Sequence, residues 1–361
     1  MPQAIFRLIS IAVCAIAFLA PVHAGESDGL LDPKVKDYIQ DHLDQGFIDG
    51  IAIGILRGDR AETHAFGKVS PTSNAAPSGD SVYQIASLTK VFNGVLLALF
   101  VERGLLSLDQ SLPGSFARCA LPANKGRPIT LLDLATHRSG LPHDADNMPS
   151  TDPLNPMAGY TMDHLCAHLA ETLPRVKPTE RTRYSNVGMG LLGQIMAEHA
   201  GLTWEELFRQ EIATPLGMES TWVTVTPALR DRLLMPFDRD GRPMKVWEIP
   251  TLEGAGALKS TVDDLLLFLR ANLDQSDTEL GAALVLAREA PGRLQRALEY
   301  QGLGWFIRPR DRFYEHTGGT AYSSYMGLHM DQGIGVVVLS NTHSHLIEHI
   351  GLRILRALAK H

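Results

Sequence analysis

The spacing of apolar residues changes along the chain. After Asp32-Pro33, apolar side chains recur at helical intervals until about Gly46. Two strand-like apolar runs follow at residues 51–56 and 61–69, and the pair Gly58-Asp59 between them is typical of a hairpin turn. The pattern predicts an N-terminal helix followed by a β-hairpin.

The middle of the chain has helical periodicity, interrupted by loops rich in proline and glycine. Apolar positions recur at i, i+3 and i+4, which is the spacing of one buried helix face. Ser260-Thr261 followed by Asp263-Asp264 is a typical helix start. Helices are expected at residues 87–102, 131–136, 162–172, 187–199, 204–212 and 261–273.

The β pattern returns near Gly302. Strands are expected at residues 303–307, 313–316, 323–330 and 334–340, and a last helix at 344–358. Strands at both ends of the chain, each beside a terminal helix, indicate an α+β fold with one antiparallel sheet built from both ends. We expect a single domain over 25–361, with the sheet part in 25–80 and 302–361 and an inserted all-helical subdomain in 81–301.

The strongest apolar run lies at the N-terminus. Arg7 precedes apolar residues 8–20, and Val22-His23-Ala24 before Gly25 suits cleavage by signal peptidase. Because the run is too short to span a bilayer, residues 1–24 are expected to be a cleavable signal peptide. We therefore expect an exported, periplasmic protein whose mature form has no membrane span.

Composition argues against several classes of protein. With 45% hydrophobic and 20% charged residues over 361 positions, the chain has the make-up of a packed globule. The 33 basic and 40 acidic residues form no basic stripe, so a nucleic-acid partner is not expected. Beyond the signal, the cysteines are Cys119 and Cys166, and either one disulfide or a buried free thiol is possible.

Ser87 and Lys90 form the first candidate for chemistry. They lie at the start of an apolar helix, and their spacing places hydroxyl and amine on one helical face. A lysine buried among apolar neighbours loses part of its preference for the charged form and can then take the serine proton. The pair alone is a weak signal, since an ordinary surface lysine on a core helix fits the same pattern.

Two further segments carry candidate polar groups. In Tyr184-Ser185-Asn186, an extended backbone would direct the phenol and the amide to one side, although a helix cap fits the same residues. In His316-Thr317-Gly318-Gly319, bare backbone at a strand end would let a ligand approach as an added strand, although a hairpin turn with a surface histidine fits too. Each segment alone permits both interpretations.

The three segments together, in this order, resemble the serine β-lactamase and penicillin-binding family. The resemblance is to its class C-like branch, which also contains D-alanyl-D-alanine peptidases and esterases, and whose motifs are Ser-x-x-Lys, Tyr-x-Asn and Lys/His-Thr-Gly. It implies a β-lactamase/transpeptidase-like fold with the active site between the sheet and the helical part. Further stretches similar to that branch are residues 129–142, 215–218, 254–261, 303–305 and 335–341.

The resemblance also implies a role for each motif residue. Ser87 would be the nucleophile, Lys90 its partner and Tyr184 the acid/base. Asn186 would hold the substrate amide, and the segment 316–319 would bind the substrate along its edge. The backbone N–H groups of Ser87 and Gly319 would form an oxyanion hole. The reaction would be acyl transfer through an acyl-serine that water hydrolyses in a second step.

Two residues depart from the pattern of class C β-lactamases. His316 replaces the usual lysine, a permanent cation that helps to hold the carboxylate of a penicillin, and histidine is only partly charged near neutrality. Asp144 stands roughly where cephalosporinases carry an amide side chain, and a carboxylate there would disfavour anionic substrates. Recognition of a β-lactam carboxylate is therefore the weakest part of the resemblance.

A metal site is a further candidate at the C-terminus. The spacing of His343, His345 and His349 can bind zinc, but a polar helix face explains these residues better, and no cofactor is expected.

We therefore predict an exported, monomeric serine hydrolase whose leading activity is hydrolysis of β-lactams, with a β-lactam or a cell-wall peptide as its partner. The alternatives within the family are a D-alanyl-D-alanine carboxypeptidase, a D-amino-acid peptidase or an esterase. An alternative of another class is a non-catalytic protein that binds cell-wall peptides. The Ser87, Lys90 and Tyr184 set favours the enzyme, because a binding module would have no need of all three.

Overall fold

The computed structural model describes residues 29–112, 114–179, 181–238, 240–289 and 300–360. The expected signal peptide, residues 1–24, lies outside the described residues. Within these ranges no helix is both long enough and apolar enough to cross a membrane.

One antiparallel sheet of seven strands joins the two ends of the chain. Its strands are β1 (Gly50–Arg57), β2 (Arg60–Gly67), β5 (Tyr300–Gln301), β6 (Phe306–Arg308), β7 (Phe313–Gly319), β8 (Ser323–His329) and β9 (Ile334–Ser340). The order across the sheet is β2-β1-β9-β8-β7-β6-β5, so the N-terminal hairpin pairs directly with the last strand. This confirms the predicted sheet built from both ends of the chain.

Helices make up most of the remaining structure. They are α1 (Pro33–Asp44), α2 (Thr89–Glu102), α3 (Leu131–Ala135), α4 (Met162–Thr172), α5 (Asn186–Ala200), α6 (Trp204–Phe208), α7 (Thr214–Leu216), α8 (Pro227–Arg230), α9 (Glu253–Gly256), α10 (Val262–Asp274), α11 (Glu279–Glu289) and α12 (Leu346–Leu358). The insertion also holds a two-stranded ribbon of β3 (Tyr83–Gln84) and β4 (Lys259–Ser260), although the sequence predicted helices alone there.

The sheet is covered on both faces, which explains why β1 and β9 are apolar along most of their length. Ile51, Ile53 and Ile55 of β1 pack in a cluster with α1 and α12. Ala52 and Leu56 of the same strand face the opposite way, into the core shared with the inserted helices. Strands β8 and β9 are buried at every position.

The helix α2 runs through the centre of the helical part. Every side chain from Thr89 to Phe100 is buried, which is the pattern of a core helix rather than a surface one. Its glycine lets a neighbouring backbone come close, because a Cβ at Gly94 would lie 1.9 Å from the carbonyl oxygen of Leu303. Because α2 is enclosed along its length, the residues at its N-terminus are held in a fixed position.

The structure answers the question that the sequence left open for the cysteines. Cys119 and Cys166 form a disulfide that closes a separation of 47 residues and ties the loop before α3 to α4. The alternative of a buried free thiol at Cys166 is therefore wrong.

Candidate active site

Ser87 lies in a tight turn between the ribbon and the central helix. A 3-10 turn, Ala86–Leu88, connects β3 to α2, and Ala86 has a φ of 48°, a conformation that non-glycine residues rarely adopt. The turn is held by the Thr89 hydroxyl, which donates to the Ala86 carbonyl at 2.7 Å. This arrangement presents the Ser87 hydroxyl to a cleft at the N-terminal end of α2.

Lys90 lies one turn further along α2 and is completely buried. Its Nζ donates to Ser87 Oγ at 3.0 Å, to Asn186 Oδ1 at 2.8 Å and to the carbonyl oxygen of Ala255 at 2.5 Å. Burial lowers the pKa of Lys90 from 10.5 to about 7, and the Asp144 carboxylate opposes this effect. The neutral amine is therefore accessible at physiological pH.

The three hydrogen-bond partners of Lys90 determine where the lone pair of its neutral amine points. A neutral amine has two N–H bonds and one lone pair. The carbonyl of Ala255 and the amide oxygen of Asn186 can only accept, so they take the two N–H bonds. The lone pair is then left for the hydroxyl proton of Ser87, which is the geometry that a general base needs.

Tyr184 lies against the same pair of residues. Lys90 Nζ is 4.7 Å from the centroid of the Tyr184 ring, and the Ser87 hydroxyl is near enough to the phenol to oppose the effect of burial on its pKa. Burial raises the pKa of Tyr184 above its ordinary value of 10.0. The phenol is thus neutral at physiological pH, which suits a proton donor better than a permanent tyrosinate.

Asn186 begins α5 and has both ends of its amide engaged. Ser185 caps the helix by accepting from Gly188 N at 2.9 Å, so the predicted helix cap and the predicted inward-facing side chains are both present. The Asn186 Nδ2 donates to Asp144 Oδ1 at 2.7 Å. Because Lys90 bonds to the oxygen and Asp144 to the nitrogen, the orientation of the amide is determined.

The motif on β7 runs along a free edge of the sheet beside Ser87. In the described part of the chain, β6 pairs only with Phe313–Glu315 of β7, and no strand covers 316–319 on that side. Gly318 faces the serine turn, because a Cβ there would lie 2.4 Å from the Ile85 carbonyl oxygen and 3.0 Å from Ser87 N. The glycine therefore permits the close approach of strand and nucleophile.

His316 is buried and neutral. Its side chain is 2% exposed, and its Nδ1 lies 2.6 Å from the Thr317 carbonyl oxygen, to which it donates. Burial, and secondarily the charge of Lys90, lower the pKa of His316 to about 3. The sequence predicted a partly charged histidine at this position, and the structure corrects that prediction, because a fully enclosed imidazole loses the hydration that stabilises its cation.

A cleft that is open to solvent lies in front of Ser87. Among the described residues its lining contains no charged side chain. Gln84 supports one wall, since its amide bonds to both the N–H and the carbonyl of Trp247 at 3.0 and 2.9 Å. The lining residues are Ala86, Ser87, Met157, Asn186, Trp247, Ile249, Ala255, Gly256, Gly319 and Thr320.

Sequence motifs could not identify several of these residues. The Ala255 carbonyl is a backbone group, and Met157 and Trp247 come from loops without a local signal. His137, whose ring centroid lies 4.4 Å from that of Tyr184, belongs to the family-like stretch 129–142, but nothing in the local sequence indicates its function.

The candidate zinc residues do not converge. His343 and His345 have ring centroids 5.7 Å apart. Over the described ranges, no group of three His, Cys, Asp or Glu side chains is placed to hold a metal ion.

Comparison with known proteins gives the family. The sequence profile of the Beta-lactamase family matches residues 35–359. The chain belongs to the beta-lactamase family. It is therefore a hydrolase of that family, as the sequence motifs predicted.

Relatives of the chain are named either as D-alanyl-D-alanine peptidases or as beta-lactamases. It is 27% identical to a D-alanyl-D-alanine-carboxypeptidase/endopeptidase of Escherichia coli K12 named AmpH, over 92% of this chain and 90% of that protein. It is 22% identical to a beta-lactamase of Pseudomonas fluorescens, over 85% of this chain and 92% of that one.

Solved structures confirm the fold. A class C beta lactamase from Rhodobacter sphaeroides superposes with a TM-score of 0.77 at 24% identity, covering 91% of this chain and all of that one. A beta-lactamase/D-alanine carboxypeptidase from Pseudomonas syringae gives the same TM-score at 21% identity, over 91% of this chain and 98% of that one. The fold is thus β-lactamase/transpeptidase-like, as predicted.

Proposed function

We propose that the protein is an exported serine hydrolase that forms an acyl-enzyme on Ser87. The observation that carries the proposal is the buried Lys90, whose Nζ lies 3.0 Å from Ser87 Oγ and whose pKa is lowered to about 7. A nucleophilic serine needs such a base, because the hydroxyl alone is a weak nucleophile at neutral pH. The catalytic domain spans residues 25–361.

Acylation begins at the hydroxyl of Ser87. Its oxygen attacks the substrate carbonyl carbon while its proton passes to the lone pair of Lys90. The carbonyl oxygen becomes an oxyanion, which accepts from the backbone N–H groups of Ser87 and Gly319. In a dry site each such donor contributes roughly 3 kcal/mol to transition-state stability.

Collapse of the tetrahedral intermediate requires a proton on the leaving group. Tyr184 is placed for this step, because its neutral phenol lies beside the Ser87 hydroxyl and its ring lies 4.7 Å from Lys90 Nζ. The phenol gives its proton to the leaving nitrogen or oxygen and recovers one from Lys90. In deacylation, water attacks the acyl carbon and gives a proton to the same groups. The bond between the acyl carbon and Ser87 Oγ then breaks, the proton returns to Ser87 Oγ, and the acid is released.

The free edge at 316–319 supports binding of an extended acyl chain as an added strand. An acyl group bound there places its carbonyl next to Ser87, because Gly318 is pressed against the serine turn. Peptide and β-lactam substrates both present amide groups that can pair with such an edge. Asn186 lines the cleft and is the side chain that contacts the substrate amide.

Charge favours one substrate class over the other. A penicillin or a C-terminal peptide carries a carboxylate, yet His316 is neutral and the described cleft lining is uncharged. Internal D-alanyl peptide bonds and esters lack this carboxylate. We therefore place D-alanyl endopeptidase or esterase activity first, and hydrolysis of β-lactams, the activity named for several relatives, second.

Export and independence from metals complete the proposal. The expected signal peptide and the Cys119–Cys166 disulfide both suit an oxidising, extracytoplasmic compartment. The chemistry above uses side chains and backbone groups only, and we expect a monomer that works without a cofactor. Activity is accordingly expected to survive treatment with EDTA.

The test compares the wild-type protein with Ser87→Ala on three substrates. These are a cross-linked D-alanyl peptide, the same peptide with a free C-terminal D-alanine, and benzylpenicillin. Turnover that requires Ser87 supports the proposal, and its order across the substrates ranks the activities. Binding of all three without Ser87-dependent turnover would contradict it and would favour a non-catalytic peptide-binding protein.

A further inference from the structure

His137 holds the backbone on both sides of Tyr184. Its carbonyl oxygen accepts from the backbone N–H of Arg183 at 2.7 Å. Its ring nitrogen Nδ1 accepts from the backbone N–H of Ser185 at 3.1 Å. One residue therefore binds the N–H group before Tyr184 and the N–H group after it.

The ring of His137 also covers one side of the phenol. The centroids of the His137 and Tyr184 rings are 4.4 Å apart, with 33° between their planes. Phe306 packs further out, with its ring centroid 6.4 Å from that of Tyr184. Lys90 Nζ lies 4.7 Å from the same ring. Tyr184 is thus enclosed by a ring stack and the catalytic amine, which leaves its side chain little freedom to rotate.

The conformation of His137 is unusual. Its φ is 56°, in the left-handed region that costs a non-glycine residue about 1–2 kcal/mol. The side chain is 2% exposed, and burial holds its pKa well below the ordinary value, so the imidazole is neutral. A neutral ring that accepts at Nδ1 carries its proton at Nε2, which is the tautomer the Ser185 contact requires.

We propose that His137 is the positioning residue for Tyr184, holding the phenol in hydrogen-bonding contact with Ser87. The inference rests on the function proposed above, because that function assigns the proton-transfer step to Tyr184. His137 itself contacts neither the substrate nor the reacting atoms. A displacement of about 1 Å in a catalytic group can reduce the rate roughly a hundredfold, so such a role has a large measurable effect.

Three substitutions separate the contacts. His137→Asn keeps an acceptor near the position of Nδ1 and tolerates a positive φ, but removes the ring stack. His137→Phe keeps the stacked ring and removes the acceptor, which leaves the Ser185 N–H unsatisfied. His137→Ala removes both contacts. The matched control is His168→Asn, because His168 is another buried imidazole, 4% exposed, bonded through one ring nitrogen to Asp146 at 2.8 Å.

The measurement is the acylation rate constant per active site, obtained from single-turnover labelling by an acyl-D-alanyl amide, because its leaving nitrogen must gain a proton before it departs. This constant is independent of how much protein is folded. We expect about a tenfold to hundredfold loss in His137→Ala, a smaller loss in His137→Asn, and no loss in His168→Asn whatever its thermal stability. A wild-type rate constant in His137→Ala, with only the folded fraction reduced, would overturn the proposal.

A double-mutant cycle with Tyr184→Phe tests whether His137 acts through Tyr184. If it does, adding His137→Asn to Tyr184→Phe costs no further rate. Losses that multiply would overturn the proposal, because His137 would then act independently. Absence of any label that requires Ser87 would instead refute the underlying function, and Ser87-dependent labelling with independent losses would refute this inference alone.

Discussion

The lowered pKa of Lys90 predicts the pH dependence of acylation. A lysine with its ordinary pKa of 10.5 is neutral in about one molecule in 3,000 at pH 7, whereas a pKa of about 7 makes about half of the molecules neutral. Burial therefore increases the supply of free base roughly a thousandfold. Because the neutral form is the base, the acylation rate should rise about tenfold per pH unit below pH 7 and level off above it.

The assay is single-turnover acylation of Ser87 by an activated ester between pH 5 and pH 9. Lys90→Arg should abolish the dependence and most of the rate, since a guanidinium stays charged throughout this range. The control is Lys245→Arg, because Lys245 is 57% exposed and pairs with Asp152 outside the cleft. A flat profile for the wild-type protein, or a rate that still rises tenfold per pH unit up to pH 9, would refute the assignment of Lys90 as a base with a lowered pKa.

Three further predictions follow from individual contacts. Gly318→Ala should reduce the acylation rate at least tenfold, because its Cβ would meet the Ile85 carbonyl oxygen at 2.4 Å; wild-type labelling by this variant would show that the close approach is not needed. Removing the disulfide by Cys119→Ser with Cys166→Ser should lower the free energy of unfolding by up to about 4 kcal/mol in urea titrations, with equal labelling at low temperature; unchanged unfolding would contradict it. Asp144→Asn should raise the ratio of kcat/KM for an anionic ester to kcat/KM for its neutral analogue by up to about fivefold. An unchanged ratio would show that the Asp144 carboxylate does not affect substrate binding.

The sequence predicted the fold well because the fold depends on local periodicity. Apolar runs at 51–56 and 334–340 form buried strands, the strand expected at 323–330 is found at Ser323–His329, and the terminal helices occupy their expected positions. The helix Glu279–Glu289 was not predicted, since its apolar residues are interspersed with alanine and give a weak pattern. The ribbon of β3 and β4 was also missed, because two-residue strands have no periodicity to detect.

The motifs predicted which side chains meet at the candidate site, but not their charge states. Ser87, Lys90, Tyr184 and Asn186 are brought together as expected. The neutrality of His316 depends on how completely the surrounding loops enclose it, and no local pattern records that. The same holds for His137, whose contacts with the Tyr184 segment span more than 40 residues of sequence.

Intact mass spectrometry during turnover shows directly whether Ser87 carries the acyl group. The wild-type protein and Ser87→Ala are mixed with benzylpenicillin and with an activated D-alanyl ester, quenched over time and mapped by proteolysis. We expect a transient adduct of the acyl mass on the peptide containing Ser87, absent from the variant. An adduct on another residue, or hydrolysis that persists in Ser87→Ala, would contradict it.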